Sequence, residues 1–208
     1  PAAELLAMNA AIDPGLRGLL QMRKLRPIVD GWAIERDEAD AYRSGAFSAV
    51  PAIIGTNANE GAFFQKNVPV KTVDGLRTFL AENFGSQAFD EAWKFYGAST
   101  DAAVPQAIAD VFGDAMFNYG VRATARELAL RQPKTFRYVL THVGAYTEDP
   151  PTHADDIAYV FGTGELGARD RAVSDAIVSA FVNFIATGDP NGPGTLHWPA
   201  YDPQRDNY

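Results

Sequence analysis

The sequence contains no cysteine, which excludes disulfide bonds, thiolate metal ligands and a cysteine nucleophile. This absence fits a reducing cytosol and an oxidising periplasm equally, so the compartment stays open. No apolar run approaches the roughly 20 residues that a transmembrane helix needs, and we expect no transmembrane segment. Basic residues are scarce as well, with 18 Lys and Arg against 26 Asp and Glu and a net charge of −8. Because nucleic-acid binding needs clustered Lys and Arg, we expect no nucleic-acid partner.

Histidine is rare too, with three in 208 residues. Their spacing offers no metal site, and without cysteine there is no Cys/His cluster, so we expect neither a metal nor another cofactor. What the sequence does contain is ample apolar material, with 47% hydrophobic and 12% aromatic residues. This composition is typical of a globular protein with a packed core, and the length permits one domain or two small ones.

Two segments predict strands. Residues 50–54 form a short apolar run that Gly55 ends, which predicts a strand buried on both faces. Residues 135–141 are rich in β-branched and aromatic side chains and predict a second strand. Because long helical patterns separate the two, we predict an α/β fold with parallel strands.

Helical patterns fill most of the remaining chain. Thr72 is a suitable N-cap for one helix, and Gly188 with Pro190 is typical of the end of another. We predict helices over residues 3–24, 35–43, 73–84 and 170–186, and a short one with Phe89, Trp93 and Tyr96 that ends at Gly97. Residues 103–131 form either two helices or one helix bent near Gly113 and Gly120. We also predict an Asp30-Gly31 turn and irregular structure over residues 191–208.

A carboxylate and an imidazole follow the two predicted strands. Turn-forming Asn57 and Asn59 come after the first strand, with Glu60 directly beyond them. His153 lies in the loop over residues 143–155, after the second strand. Catalytic groups collect at the carboxyl ends of strands in open α/β sheets. A serine hydroxyl needs an imidazole to take its proton, and that imidazole needs a carboxylate to orient it. We therefore predict that Glu60 and His153 are two members of a catalytic triad.

Four sequence runs in a fixed order cover nearly the whole chain: residues 27–31 (PIVDG), 55–61 (GTNANEG), 153–162 (HADDIAYVFG) and 182–191 (VNFIATGDPN), followed by 198–201 (WPAY). Together they resemble the C-terminal part of the type-B carboxylesterases, the cholinesterase-like branch of the α/β-hydrolases. The resemblance implies an α/β-hydrolase fold in which this chain holds the later strands of a mostly parallel sheet and their flanking helices.

The same resemblance implies roles for three residues. Glu60 matches the acid of the family's Ser-His-Glu triad and His153 matches its base. Asp156 matches an acidic position shortly after the histidine that supports the triad from behind. The implied activity is that of a serine carboxylic-ester hydrolase, which cleaves a small-molecule ester through an acyl-enzyme.

The sequence departs from the family pattern in two ways. Pro150-Pro151-Thr152 stands before the histidine, where the family usually has a Gly-Ala type segment. The Gly-x-Ser-x-Gly elbow and the Gly-rich oxyanion segment are both absent, and none of the six serines has the elbow context: Ser44, Ser48, Ser86, Ser99, Ser174 and Ser179.

In this family both missing motifs lie upstream of the matched region. We therefore expect residues 1–208 to be the C-terminal part of a single α/β-hydrolase catalytic domain. Its partner is then the N-terminal part of the same protein, which carries the nucleophilic serine and the oxyanion hole and is either a separate chain or cut away. A start at Pro1, without Met or a signal-like segment, fits processing of this kind.

Other polar residues have plainer interpretations. We expect His142 to be a packed or wall residue, His197 and Asp114 to be structural, and Asp155 to be solvated. Asp156 either supports the triad or is solvated, and residues 35–38 form an exposed helical face. Aromatic side chains near these positions are expected in the core and the walls of an active-site gorge: Phe63, Phe64, Phe79, Phe84 and Trp93.

A second hypothesis comes from a different class of protein. A catalytically inactive esterase-like module, used for binding or adhesion, would share the fold without the chemistry. Such a module has no need for both Glu60 and His153, which favours the hydrolase. A Gly or Ala at the nucleophile position upstream would favour the binding module.

Overall fold

The computed structural model describes residues 3–4, 28–146 and 150–208. The predicted helix over residues 3–24 lies outside them, apart from residues 3 and 4, which are helical. The chain divides into two compact units, Pro1–Asp37 with Gly61–Met116 and Glu38–Glu60 with Phe117–Tyr208.

The strands are β1 (Ala52–Asn57) and β2 (Thr135–Leu140). The helices, in chain order, are α1 (Glu38–Ser44), α2 (Ala62–Gln65), α3 (Val73–Tyr96), α4 (Val104–Gly113), α5 (Tyr119–Ala129), α6 (Asp156–Phe161) and α7 (Ala168–Thr187). Between them lie a 3-10 turn at Asp101–Ala103 and a π-helical turn at Asp114–Asn118.

The two strands pair in parallel, as predicted, with Ala52 opposite Thr135 and Asn57 opposite Leu140. They belong to the second unit, whose α5 contacts both strands and whose α6 and α7 contact each other. Because the carboxyl ends of two parallel strands lie at the same edge of the sheet, the residues that follow Asn57 and Leu140 lie next to each other.

The bounds and burial predicted for the first strand are wrong. Pro51 has no backbone N–H, and the ladder begins at Ala52, whose N–H donates to the Lys134 carbonyl at 3.0 Å. Gly55 does not end the strand but lies inside it, and the Tyr138 ring packs where a Cβ would sit, so the position accepts only glycine. The strand is half-buried, since only its last two residues are buried and Val50 before it is 59% exposed.

The first unit confirms the helix predicted over residues 73–84. The Thr72 side chain accepts a hydrogen bond from the Gly75 N–H at 3.1 Å and caps α3. Gly85 then adopts a positive φ of 73° and kinks the helix, so the residues beyond it form the predicted short second segment. Buried apolar side chains from α3 and α4 make the core of this unit: Leu76, Phe79, Leu80, Ile108, Val111 and Phe112.

The segment over residues 103–131 forms two helices, one of the two predicted alternatives. The break begins directly after Gly113 and takes the form of the π-helical turn. Asp114 in this turn accepts a hydrogen bond from the Tyr96 hydroxyl at 2.9 Å, which confirms its structural assignment. Burial, together with Asp114, raises the pKa of Tyr96 to about 12.

The aromatic side chains expected in the core divide into two groups. Phe79 is buried, and Phe64 and Trp93 pack against the core. Phe63 and Phe84 are 54% and 36% exposed, so they lie outside the core, and their place in the wall of a gorge stays a prediction. Phe84 ends the first segment of α3, next to the Gly85 kink, which leaves its ring at the surface and stacked on Tyr96.

Several shorter predictions agree with the structure. The helix predicted over residues 170–186 is α7, and Gly188 ends it in a left-handed conformation with φ 71°. Residues 35–38 are exposed, although α1 begins only at Glu38. The Asp30 carboxylate accepts from three successive backbone N–H groups in the predicted turn.

Within the described residues, no helix combines the length and apolarity needed to cross a bilayer.

Candidate active site

The strand pairing joins the turn after β1 to the loop after β2. The Ala58 N–H donates to the Leu140 carbonyl at 2.9 Å, which extends the ladder one step beyond β1. The Asn59 N–H donates to the Pro151 carbonyl at 2.8 Å, and Pro151 itself is fully buried. Both segments are therefore fixed to each other immediately before their polar side chains, Glu60 and His153.

Glu60 and His153 meet at this junction. Glu60 Oε2 lies 2.7 Å from His153 Nδ1, and Glu60 Oε1 accepts a hydrogen bond from the Asn57 N–H at 2.7 Å. The carboxylate is thus held by its own turn while it contacts the imidazole. Glu60 is 6% exposed, whereas the His153 side chain is 39% exposed and packs on the Phe117 ring at 4.7 Å.

This contact sets what the imidazole can do. A carboxylate that accepts from Nδ1–H selects the neutral tautomer in which Nε2 carries a lone pair and can take a proton. A carboxylate at this distance also stabilises an imidazolium, the form that the ring takes once it has accepted a proton. Burying the carboxylate is costly without partners, and the two hydrogen-bond contacts at 2.7 Å offset that cost.

The short segment around His153 has its own local ties. Asp155 Oδ2 accepts from the Thr152 N–H at 2.7 Å and from its hydroxyl at 3.1 Å. The prediction that Asp155 is solvated is therefore wrong, because its short side chain folds back to close the turn that presents His153. Ala154 takes a positive φ of 74°, a conformation that a residue with a Cβ adopts at a cost.

Asp156, the first residue of α6, lies behind the pair. It accepts from the Asn57 Nδ2 at 3.2 Å and from the Tyr138 hydroxyl at 2.7 Å. Since the backbone N–H of Asn57 also donates to Glu60, Asn57 links the two carboxylates. Burial, and to a smaller extent the hydrogen bond to Asp156, raises the pKa of Tyr138 above its ordinary value. The phenol is therefore protonated and can donate that hydrogen bond.

Sequence reasoning missed two members of this arrangement, Asn57 and Tyr138. It assigned Asn57 to turn chemistry alone, although Asn57 ends β1 and is 2% exposed. The missing signal is the pairing of Gly55 with Tyr138: a glycine opposite a tyrosine lets the ring cross the neighbouring strand and reach Asp156.

The other two histidines lie away from Glu60. His142 Nε2 is 2.8 Å from Asp170 Oδ1, and its side chain is 13% exposed, in agreement with a packed residue. His197 is exposed and lines a cavity of about 380 Å³ together with Tyr138, Phe181 and Trp198.

Three of the described serines have backbone partners, and the described acidic residues form no metal site. The hydroxyls of Ser44, Ser174 and Ser179 donate to backbone carbonyl groups. Within residues 3–4, 28–146 and 150–208, no group of three or more His, Cys, Asp or Glu side chains is placed to hold a metal ion.

Comparison with known proteins gives one clear family. The sequence profile described as the carboxylesterase family matches residues 1–208. The fumonisin B1 esterase of Sphingopyxis macrogoltabida is 34% identical, over 97% of this chain and 39% of its own length. Carboxylesterase 1C of Mus musculus is 28% identical, over 86% of this chain and 37% of its own length. The bile salt-activated lipase of Mus musculus is 29% identical, over 88% of this chain and 35% of its own.

The solved structure of a PNB esterase superimposes with a TM-score of 0.70, over 96% of this chain and 41% of that one. At 23% identity the likeness shows the fold alone. The predicted α/β-hydrolase fold, present here as a C-terminal portion, is therefore confirmed. The chain spans about two fifths of the length of the relatives it matches.

Proposed function

Since the chain belongs to the carboxylesterase family, we propose that Glu60 and His153 are the acid and base of a Ser-His-Glu triad in a serine carboxylic-ester hydrolase. One observation carries the proposal: a buried carboxylate lies 2.7 Å from Nδ1 of a partly exposed imidazole, at the ends of two parallel strands. This is the geometry that an acid needs to orient and stabilise a general base.

The serine comes from a part of the protein outside residues 1–208. Its hydroxyl attacks the ester carbonyl while His153 Nε2 takes the hydroxyl proton, and a tetrahedral intermediate forms. The imidazolium returns that proton to the departing alcohol, which leaves an acyl-enzyme. Water then attacks the acyl group and loses a proton to Nε2. The imidazolium gives that proton to the departing serine oxygen, which releases the carboxylic acid and restores the free serine.

Glu60 acts throughout by holding His153 rather than by taking a proton itself. Its negative charge lies against Nδ1–H in a site where little water competes, so it stabilises the imidazolium formed in each step. The hydrogen bond from Asn57 occupies the other carboxylate oxygen and fixes the angle at which Glu60 meets the ring.

Asp156 supports the same geometry one contact away. It fixes the Asn57 amide on one side and accepts from Tyr138 on the other. Through Asn57, Asp156 therefore acts on the position of Glu60, and we assign it a supporting role in the triad.

The extent of the match supports a domain assignment. Residues 1–208 align with between 35% and 41% of the relatives' own lengths. We propose that they are the C-terminal part of one α/β-hydrolase domain, and that its N-terminal part supplies the nucleophile and oxyanion hole. The substrate class is a small-molecule carboxylic ester.

Hydrolysis of a chromogenic ester by the complete protein containing this chain tests the proposal. His153→Ala should abolish turnover, because the serine would lose its base. His197→Ala is the matched control, since it removes an exposed imidazole from the same unit, and it should keep wild-type turnover. Full activity of His153→Ala would reject the assignment, and a folded wild-type protein without esterase activity would favour the inactive binding module.

A further inference from the structure

A second carboxylate, Asp170, is buried as deeply as any residue in the described chain. It lies in the first turn of α7 and is 0% exposed. The mechanism proposed above does not use it. Complete burial of a carboxylate is costly, so its retention here requires strong compensating contacts.

Asp170 receives those contacts from residues that precede His153 in the chain and from one that follows it. Its Oδ2 accepts from the backbone N–H groups of Ala145 at 3.0 Å and Tyr146 at 3.1 Å. Its Oδ1 lies 2.8 Å from His142 Nε2 and accepts from the Tyr159 hydroxyl at 3.0 Å. The first three donors precede His153, and Tyr159 follows it on α6.

The loop is shaped around this carboxylate. A Cβ on Gly144 would overlap Asp170 Oδ1 and crowd His142 Nε2, so only glycine lets the backbone pass this closely. Two successive N–H groups, those of Ala145 and Tyr146, converge on one oxygen, as in the backbone nests that bind anions.

Asp170 is ionised at neutral pH. Burial by itself would raise its pKa, but the hydrogen bonds from His142, Tyr159, Tyr146 and Ala145 outweigh burial and lower the pKa below its ordinary value. A second tie, from the Ser174 hydroxyl to the Tyr159 carbonyl at 2.8 Å, joins α6 to the next turn of α7.

We propose that Asp170 is a positioning residue for His153: it clamps the start of the His153 loop and the helix that follows it to α7. The inference rests on the proposed function, in which His153 is the base. The tied residues of the loop, His142 to Tyr146, precede His153 and α6 follows it, so fixing both restricts where the imidazole can lie. A displacement of about 1 Å at a reacting group can cost roughly 100-fold in rate.

Asp170→Asn in the complete protein tests this. An amide offers one acceptor where four donors converge, so part of the clamp opens. We expect kcat to fall about 10-fold to 100-fold with KM changed less than about twofold, since the variant displaces the base and alters no group proposed to bind the ester. Amide hydrogen exchange should rise at Ala145 and Tyr146 and stay at wild-type rates in β2. Asp175→Asn, an exposed carboxylate on the same helix, is the matched control and should change neither.

Tyr159→Phe keeps the inference testable if Asp170→Asn does not fold, since it removes one donor and keeps the ring. It should lower kcat several-fold at constant KM. Unchanged kcat in either folded variant would overturn the clamp. If His153→Ala is inactive while these variants are normal, the clamp alone fails; if His153→Ala is active, the proposed function fails with it.

Discussion

Among the described residues of the second unit, two imidazole–carboxylate pairs of nearly equal length differ in the exposure of the imidazole and in the number of donors around the carboxylate. His153 and Glu60 are 2.7 Å apart, and His142 and Asp170 are 2.8 Å apart. Asp170 is surrounded by four hydrogen-bond donors, and the side chain of its partner His142 is only 13% exposed. Glu60 accepts one backbone N–H besides its imidazole, and the His153 side chain is 39% exposed.

The ring nitrogen used also differs between the pairs. His153 meets its carboxylate through Nδ1, so Nε2, the nitrogen farther from the backbone, is the one that can exchange a proton with a substrate group. His142 meets Asp170 through Nε2 itself. The proposals above assign proton transfer to the first pair and positioning of the chain to the second, a difference that the two similar distances alone would not indicate.

Removing the charge of Glu60 should produce the largest effect. Glu60→Gln is expected to lower kcat by roughly 10³–10⁴-fold, as the change from carboxylate to amide does in a serine-protease triad. Folding should be retained, because glutamine has the same shape and can still accept from Asn57. Steady-state kinetics and a thermal melt on the same preparation measure both quantities, and near-normal turnover would remove Glu60 from the triad.

A smaller effect is expected one contact behind the reactive pair. In Asp156→Asn an NH2 group replaces one of the two oxygens that accept separately from Asn57 and Tyr138, so one of these hydrogen bonds is lost or reversed, at a cost of about 1 kcal/mol or less. Since 1.36 kcal/mol is about tenfold in rate, kcat should fall by about that factor or less. Asp175→Asn again serves as control. A loss as large as that of Glu60→Gln would mean that Asp156 itself carries the charge that the base needs.

The holding pair should be visible in acid. The pKa of Asp170 is lowered in the folded protein, so between its folded and unfolded values the unfolded chain binds more protons. Its contribution to stability is therefore present above the unfolded value of 3.8 and is lost as the pH falls through the lower folded value. Melting temperatures measured from neutral pH down to this range should fall less steeply in Asp170→Asn than in the wild type. Parallel curves would contradict the account.

The smallest effect is expected beside the reactive pair, at Ala154. Its positive φ costs about 1–2 kcal/mol for a residue with a Cβ, while glycine adds about 0.4–1 kcal/mol of unfolded-state entropy. Ala154→Gly should therefore raise the free energy of unfolding by about 0 to 1.6 kcal/mol. Ala176→Gly, at an exposed position in the interior of α7, should lower it by about 0.5–1 kcal/mol. The two changes having the same sign in calorimetry would contradict strain at Ala154.

Sequence patterns predicted the elements that positions near one another in the chain decide. The Thr72 cap, the end of α7 at Gly188 and the run at 135–140 each depend on neighbours within a few residues. The parallel pairing followed from the long helical stretch between the strands. The prediction that Glu60 and His153 lie close together followed from a shared order, because each of the two strands is followed by a turn or loop and then by the polar side chain.

What the sequence did not predict depends on contacts between distant residues. Asn57 meets Asp156 across 99 positions, and Gly55 lies inside β1 with Tyr138 opposite it. The fourfold coordination of Asp170 has the same origin, since its donors belong to a loop and to another helix. A glycine in a sequence is equally typical of the end of a strand and of a position where another side chain packs closely. Only the pairing register of the two strands distinguishes these two cases for Gly55.

Reaction of the complete protein with a fluorophosphonate, followed by mass spectrometry of its peptides, tests the central claim most directly. An activated serine forms a stable adduct only if its base removes the hydroxyl proton. We predict one adduct, on a serine outside residues 1–208, and its loss in His153→Ala but not in His197→Ala. An adduct on any of the six serines within residues 1–208, or undiminished labelling of His153→Ala, would contradict the account.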